Sequence, residues 1–282
     1  MTAIALLPTV AALRAQVRLW RQEGQSVALV PTMGALHAGH ISLVEMGKRR
    51  ADRVVATIFV NPTQFAPTED FSKYPRTLDA DVARLTEISA DAAFTPTAED
   101  MYPEGFCTTV SLRGPATAGL EDRFRPTHFQ GVATVVAKLL LQALPDVAIF
   151  GQKDFQQLAV IRQMTADLDI PVAIEGAPTV READGLAMSS RNVYLSEEER
   201  AVAPLLHRCM TKAAHRIRDG EALEAALSPA RGKLAGAGFE IDYLEVRDAM
   251  TLATVEGRHR KGLRMLVAAR LGRTRLIDNI EV

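Results

Sequence analysis

VALVPTMGALHAGHISLV, residues 27–44, decides how the rest of the chain is read. Val27 to Val30 is a short apolar run bounded by Pro31, the pattern of a buried parallel strand. Pro31 fixes φ and donates nothing to a ladder, while Gly34 and Gly39 allow backbone that a side chain would forbid. A helix is predicted to begin near His40, with Leu43 and Val44 on one stripe and Gly47 and Lys48 a turn further on. Strand, glycine-bearing turn and helix together aim unpaired N–H groups and the positive end of the helix dipole at one spot beyond the strand. Phosphates are commonly held there. The spacing Gly34-x4-Gly39-His40 is close to that of a P-loop, but His40 stands where that motif needs Lys and Ile41 where it needs Ser or Thr, which excludes it. His37 and His40, three apart at a helix start, can both reach an α-phosphate or its leaving group. An isolated H-x-x-H is more often two partly exposed histidines on a turn; the glycines and the strand in front favour the anion site.

Outward from that turn, Thr9 is read as the cap of a helix with Val10, Leu13, Val17 and Trp20 on one side, running to Gly24. Arg53 to Val60 is β-branched enough for a second buried strand, ending at Asn61-Pro62. Residues 61–76 carry Pro62, Pro67 and Pro75 with little periodicity, which predicts a surface loop. Loops leaving the carboxyl ends of parallel strands line the ligand crevice, which places Asn61 and Gln64 near the phosphate turn. Thr77 is expected to cap a helix from Leu78 to Ser89. Asp79 and Asp81 in its first turn suit the dipole, and Asp81 is also a candidate contact to Mg²⁺. Ala92 to Phe94 and Thr108 to Leu112 are predicted strands, and Gly131 to Ala143 a helix. Val147 to Phe150 opens a second strand-turn-helix, with Gly151-Gln152-Lys153-Asp154 at its tip. There Gly151 lets backbone approach a base or ribose, Asp154 can accept from ribose hydroxyls, and Lys153 can reach phosphates. Ile170 to Ile174 is expected to be the last strand of the first domain.

From about Thr179 the texture changes. In Ala187-Met188-Ser189-Ser190-Arg191-Asn192, two hydroxyls and a guanidinium offer donors to pyrophosphate oxygens. Ser196 with Glu199 forms a capping box before a helix of about twenty residues ending at Gly220. A helix from Ala222 to Leu234, kinked or restarted at Pro229, precedes three strand-like runs: Glu240 to Val246, Leu263 to Ala269 and Arg275 to Glu281. The fold class expected is α/β: a Rossmann-like open parallel sheet flanked by helices over residues 1–178, with a smaller C-terminal α+β lid domain over 179–282.

With 33 basic and 34 acidic residues among 282, the net charge of −1 gives no reason to expect nucleic acid or an anionic membrane as partner. The first residues, MTAIALLPTVAALRAQ, lack a basic n-region and meet Pro8 early. The apolar segment 132–150 is interrupted by Lys138, Gln142, Pro145 and Asp146, so it reads as helix, turn and strand rather than a membrane span. A cytoplasmic protein is expected. Its two cysteines, Cys107 and Cys209, have no metal-ligand spacing and are read as buried or half-buried thiols, not a disulfide.

HAGH at 37–40 matches the H-x-G-H signature of the nucleotidyltransferase superfamily that includes class I aminoacyl-tRNA synthetases. Together with FVNPTQF at 59–65, FGQKDFQQL at 150–158 and MSSRN at 188–192, it makes the chain resemble the pantoate–β-alanine ligase family over nearly its whole length. The MSSR segment resembles the KMSKS-type loop that partners H-x-G-H. The resemblance implies an AMP-forming acid–amine ligase that joins (R)-pantoate to β-alanine through a pantoyl-adenylate, using ATP and Mg²⁺, and working as a homodimer. It also implies His37, His40, Lys153 and Arg191 as catalytic residues, with His40 the proton donor. ATP would lie against Met33, Gly34, Ala35 and Leu36, the turn His37, Ala38, Gly39 and His40, and the tip Gly151, Gln152, Lys153 and Asp154. Val180, Met188, Ser189, Ser190 and Arg191 would complete that site. Gln64, Gln157, Asn61 and Arg125 would hold pantoate and β-alanine. Gln152 departs from the family's G-E-K-D by removing a charge, with no loss of activity expected. Two alternatives remain open from the residues alone: an adenylyltransferase acting on a phosphate-bearing acceptor, which would need further cations, and a catalytically silent nucleotide-binding regulator.

Overall fold

The computed structural model describes residues 4–65, 71–255 and 262–282; segment 66–70, including Pro67 of the predicted loop, lies outside the described residues. The first unit alternates strand and helix: β1 (Ala5–Leu7), α1 (Val10–Gln22), β2 (Val27–Thr32), α2 (Ala38–Arg50), β3 (Arg53–Ile58), α3 (Leu78–Glu87), β4 (Ala92–Phe94), α4 (Ala98–Met101), α5 (Glu121–Phe124), α6 (His128–Ala143), β5 (Val147–Gly151), α7 (Phe155–Asp167) and β6 (Ala173–Ala177). Its sheet is parallel, in the order β1-β4-β3-β2-β5-β6. Strands β3 and β4 build on one side of β2 and the chain then crosses to lay β5 on the other, so the order reverses between β2 and β5. Ligands bind at such a reversal in open α/β sheets. The pairing shows the crevice opening. β2 stays in register with β3 to Thr32 opposite Ile58, but pairs with β5 only at Ala28–Val147 and Leu29–Ala148.

Both faces of the sheet are covered, which is why its strands read as unbroken apolar runs. Leu13, Val17 and Trp20 of α1 join α6 and α7 on one face, and Leu43 and Val44 of α2 join Leu85 of α3 on the other. Leu29 and Ile149 are completely buried on β2 and β5. At about 1.5–3 kcal/mol for each such side chain, packing of the sheet fixes where the loops begin.

The second unit is α8 (Glu197–Val202), α9 (Leu205–Arg218), α10 (Leu223–Gly236) and the antiparallel sheet of β7 (Phe239–Asp248), β8 (Leu263–Leu271) and β9 (Thr274–Glu281). Leu206, Met210 and Ile217 of α9 pack with Leu227 and Leu234 of α10 over Leu244, Met265 and Val267. This sheet is tied to the first unit through Glu121, which accepts from Arg275 Nη1 at 2.6 Å, Arg275 Nη2 at 2.8 Å and the Tyr243 hydroxyl at 2.7 Å. Burial works against a charge on Glu121, yet Arg275 and Tyr243 hold its carboxyl below the usual range. No described helix is long and apolar enough to cross a membrane.

Several expectations shift for local reasons. β2 continues through Pro31 to Thr32, whose hydroxyl donates to the Thr57 carbonyl at 2.5 Å and so carries the pairing past the proline. Helix α2 starts at Ala38, before His40, because His37 is its cap. Thr77 makes no cap bond; its hydroxyl goes to Asp81, and α3 stops at Glu87, just before Ser89 with its φ of 56°. Residues 108–112 form no strand, and the Val110 N–H donates to the Thr134 hydroxyl of α6 instead. α6 itself starts earlier than Gly131, at His128. The last strand of the sheet is β6, not Ile170 to Ile174: Pro171 has no N–H and that of Val172 turns back to the Ile170 carbonyl, so pairing begins at Ala173. Pro204 splits the predicted twenty-residue helix into α8 and α9, whereas α10 runs through Pro229 without restarting. Cys107 is exposed, against expectation, and Cys209 is buried; both are free thiols.

Candidate active site

The turn after β2 is built around two histidine rings. His37 Nδ1 accepts the Gly39 N–H at 3.1 Å, and His40 Nδ1 accepts the His37 N–H at 3.3 Å, a reciprocal capping box made by imidazoles where Ser or Thr and Glu are usual. Because each Nδ1 accepts, the proton of each neutral ring sits on Nε2. Burial chiefly, with the Lys153 charge adding, pushes the His37 pKa down to about 4. Burial, then His37 and Lys153, pushes His40 down to about 3. At neutral pH the turn therefore presents two uncharged N–H donors. The rings lie 4.1 Å apart, and a Cβ on Gly39 would fall 2.8 Å from the His37 ring, which explains the glycine between the histidines.

Asp81 braces this turn from α3. It is 2 % exposed and accepts from the N–H groups of Ala35 at 2.9 Å and Leu36 at 2.7 Å, and from the Thr77 hydroxyl at 3.1 Å. Ala35 needs the support, since its φ of 50° is left-handed and costs a non-glycine residue about 1–2 kcal/mol. Arg84, one turn further along α3, donates to the Leu36 carbonyl. Asp81 lines neither of the two cavities beside the turn. Its oxygens face backbone N–H groups, so the structure gives it a bracing place where a metal contact was expected.

Across the crevice stand the tip of β5 and the loop before α8. A cavity of about 220 Å³ is lined by His37, His40, Lys153, Ser189, Ser190 and Arg191 together, so the two distant motifs face one space. A Cβ added at Gly39 would stand 3.8 Å from Met188 Cβ, so the loop passes just beyond the space a side chain there would take. Met33, Gly39, Gly151, Asp154, Val180 and Met188 line the same space, with Asn61, Gln64, Gln157 and Arg125 around it. A second cavity of about 530 Å³ opens toward the C-terminal sheet and shares Lys153, Gln157, Ser189 and Arg191. Gly34, Ala35, Leu36 and Ala38 line neither cavity and shape the turn instead. Gln152 also points elsewhere, its amide donating to the Gly176 carbonyl at 3.2 Å.

The polar residues differ in how free they are. Asn61 is 1 % exposed and already bonded to Gln64, Thr63, Tyr102 and the Gly131 carbonyl, an arrangement that braces the loop. Gln64 donates to the Met33 sulfur at 2.8 Å, a weak acceptor that a carboxylate would readily replace. Arg125 and His128 both contact the Gln64 carbonyl, at 3.3 and 3.1 Å. Sequence reasoning missed three contributors. Tyr74, 6 % exposed, hydrogen-bonds Ser190, and burial pushes its hydroxyl pKa up. The Thr179 hydroxyl is buried at the cavity with no partner among the described residues. Asn279 reaches the Lys153 turn from β9. None lies in a motif: long-range partners reveal Tyr74 and Asn279, and only its place on the cavity wall reveals Thr179.

The pantoate-beta-alanine ligase family matches residues 5–281. A pantothenate synthetase of Paramagnetospirillum magneticum is 60% identical over 283 residues, covering 100% of this chain and 99% of that one. A pantothenate synthetase of Rhodopseudomonas palustris is 57% identical over 274 residues, covering 97% of each. The crystal structure of pantothenate synthetase from Thermus thermophilus superposes with a TM-score of 0.93 at 47% identity, covering 99% of both chains. That of pantoate-beta-alanine ligase from Francisella tularensis, complexed with beta-gamma ATP and beta-alanine, superposes with a TM-score of 0.82 at 31% identity, covering 99% of this chain and 98% of that one.

Proposed function

This chain belongs to the pantoate–β-alanine ligase family, and from that premise we propose how its crevice performs an ATP-dependent, AMP-forming condensation of (R)-pantoate with β-alanine. The pantoate carboxylate attacks the α-phosphorus of ATP, the bond to the bridging oxygen breaks, and pyrophosphate leaves with that electron pair. The β-alanine amine then attacks the pantoyl carbonyl of the mixed anhydride, forming the amide and releasing AMP and a proton. The observation that carries this proposal is that the His37–His40 turn and the Met188–Arg191 loop, far apart in the chain, line one cavity.

Each side chain has a task set by its chemistry. The Nε2–H groups of His37 and His40 donate to α-phosphate oxygens as charge develops, as neutral donors that need not give up a proton. Lys153, Ser189, Ser190 and Arg191 hold the leaving polyphosphate, Arg191 through a bidentate fork. Gln64 and Gln157 clamp pantoate, with its gem-dimethyl group against Val132, Val136 and Phe150, which line the same cavity. Arg125 receives the carboxylate of the second substrate. Asp154 is the carboxylate on both cavity walls, and with the triphosphate oxygens it fits a magnesium ion, which needs few protein ligands and supplies electrophilic assistance when bound. Residues 1–178 act as the nucleotide- and pantoate-binding domain and 179–282 as the lid. A cytoplasmic homodimer completes the proposal, in keeping with the two free thiols and with the family resemblance.

Pyrophosphate release from MgATP tests this directly. It should appear with pantoate alone, and AMP should accumulate stoichiometrically with amide once β-alanine is added. Release that ignores pantoate, or none at all, would refute the assignment.

A further inference from the structure

The C-terminal sheet contributes no motif, yet one of its side chains ends at the catalytic lysine. Asn279 on β9 is 3 % exposed, and its Nδ2 donates to the Gln152 carbonyl at 2.9 Å and to the Lys153 carbonyl at 2.8 Å. Its Oδ1 accepts from Arg264 Nε at 2.7 Å, so the amide orientation is fixed and both N–H groups are committed. Arg264 in turn lies 4.5 Å over the ring of Phe155, the first residue of α7 beyond that turn. The neighbouring side chain does the same for the other cationic segment. Asp278, 3 % exposed, takes Arg181 in two bonds of 2.7 and 2.9 Å, and Arg181 also donates to the Gly185 carbonyl at 3.1 Å. Arg181 bridges to Ala187, directly ahead of Met188-Ser189-Ser190-Arg191. Two consecutive residues of one strand therefore grip the roots of both phosphate-facing segments.

We infer that Asn279 is a positioning residue for Lys153, and that the Asp278–Asn279 pair sets the spacing between the Lys153 turn and the Ser189–Arg191 loop. Lys153 reaches its phosphate along a flexible stem, so its ammonium is placed only as well as its backbone is held. A carbonyl pair left without its donors gives the turn other conformations, and displacement of a reacting group by about 1 Å can cost on the order of a hundredfold in rate. The inference rests on the role given to Lys153 above.

The test compares Asn279→Ala and Asn279→Asp in the full-length enzyme, each with Lys153 intact and with Lys153→Ala, following pantoate-dependent pyrophosphate release. With Lys153 intact, Asn279→Ala should lower kcat/KM for ATP by roughly ten- to a hundredfold, leaving pantoate affinity unchanged. Asn279→Asp should be no better, because it keeps the acceptor for Arg264 but turns an oxygen toward two carbonyls. In the Lys153→Ala background neither change should cost more than about twofold, since groups that act as a unit are not additive. Equal losses in both backgrounds, or rescue by Asp, would show that Asn279 merely supports Arg264 and would overturn the inference. If Lys153→Ala by itself left the rate unchanged, the assignment of Lys153 would fall first, and the inference with it. Should Asn279→Ala melt below the assay temperature, Asn279→Ser is held to the same criteria.

Discussion

The two walls of the crevice are held in different ways. The histidine turn is braced from within its own domain: the rings cap each other's backbone, and Asp81 and Arg84 hold the Ala35–Leu36 peptides from the next helix. The Lys153 turn and the Met188–Arg191 loop lean on the other domain, through Asn279 and Asp278 of β9. One wall is thus held wholly by its own unit, and the other draws part of its support from the C-terminal sheet. Such a division suits a reaction that needs fixed donors at the α-phosphate but must let a polyphosphate in and pyrophosphate out.

The sharpest way to break the comparison is at its rigid wall. His40→Ala should reduce adenylation by on the order of 10²–10³-fold, the usual effect of removing a preorganised donor. Stability should fall by only about 1 kcal/mol, the worth of a helix cap. Single-turnover pyrophosphate release and thermal melting report the two effects. Near-normal adenylation would remove His40 from the mechanism. Asp81→Ala should do the reverse, because it orphans two backbone N–H groups and a hydroxyl in a buried place. A loss of about 3 kcal/mol of stability is expected, with activity recovering in part when the protein is assayed well below its melting temperature. If Asp81 instead held the metal, added Mg²⁺ would restore the variant's rate, and that result would return the carboxylate to the ligand set.

What the sequence disclosed follows the same division. The strand-turn-helix around Val27–Val44 was legible because local rules write it: an apolar run, a proline, two glycines and a helical stripe. Ser196 and Glu199 were legible as a capping box for the same reason. His37 as a cap was not, since imidazole is an unusual cap and its part depends on the His40 ring folding back. The bracing place of Asp81 was not legible, because a carboxylate in a first helical turn looks the same in sequence whether it meets a dipole, a metal or a loop. Thr108 to Leu112 has strand-forming residues but no neighbouring ladder, a matter of tertiary position. Asn279 lies 126 residues from Lys153, and no periodicity connects them.

The pH dependence of stability sharpens the account of the rigid wall. Unfolded, His37 and His40 protonate near the ordinary 6.5; folded, they resist until about 4 and about 3. Between roughly pH 6.5 and 4 the unfolded chain therefore binds more protons, and stability must fall as pH falls through that window. At pH 5 the contribution is at most about 2 kcal/mol per histidine. His40→Gln isolates its share, because glutamine at this capping-box position can still reach the His37 N–H but does not titrate. Denaturant melts at pH 7.5 and 5 should show near wild-type stability at the higher pH and a shallower decline. An unchanged slope would mean that the His40 ring is already solvated.

The smallest expected effect lies on the wall that the C-terminal sheet supports. Arg191 lines both cavities from the short 3-10 turn Ser190–Tyr194, its backbone N–H donating to the Ser189 hydroxyl. Arg191→Lys keeps the charge and removes the fork, so one of two parallel bonds to a phosphate is lost, about 1.4 kcal/mol or tenfold in KM for MgATP. Pantoate affinity, measured without nucleotide, should not move, because Gln64 and Gln157 stand on the first domain. Equal weakening of both ligands would mean that Arg191 supports the shape of the whole crevice. In that case the wall held by the C-terminal sheet would be as preorganised as the histidine turn, and the contrast between them would disappear.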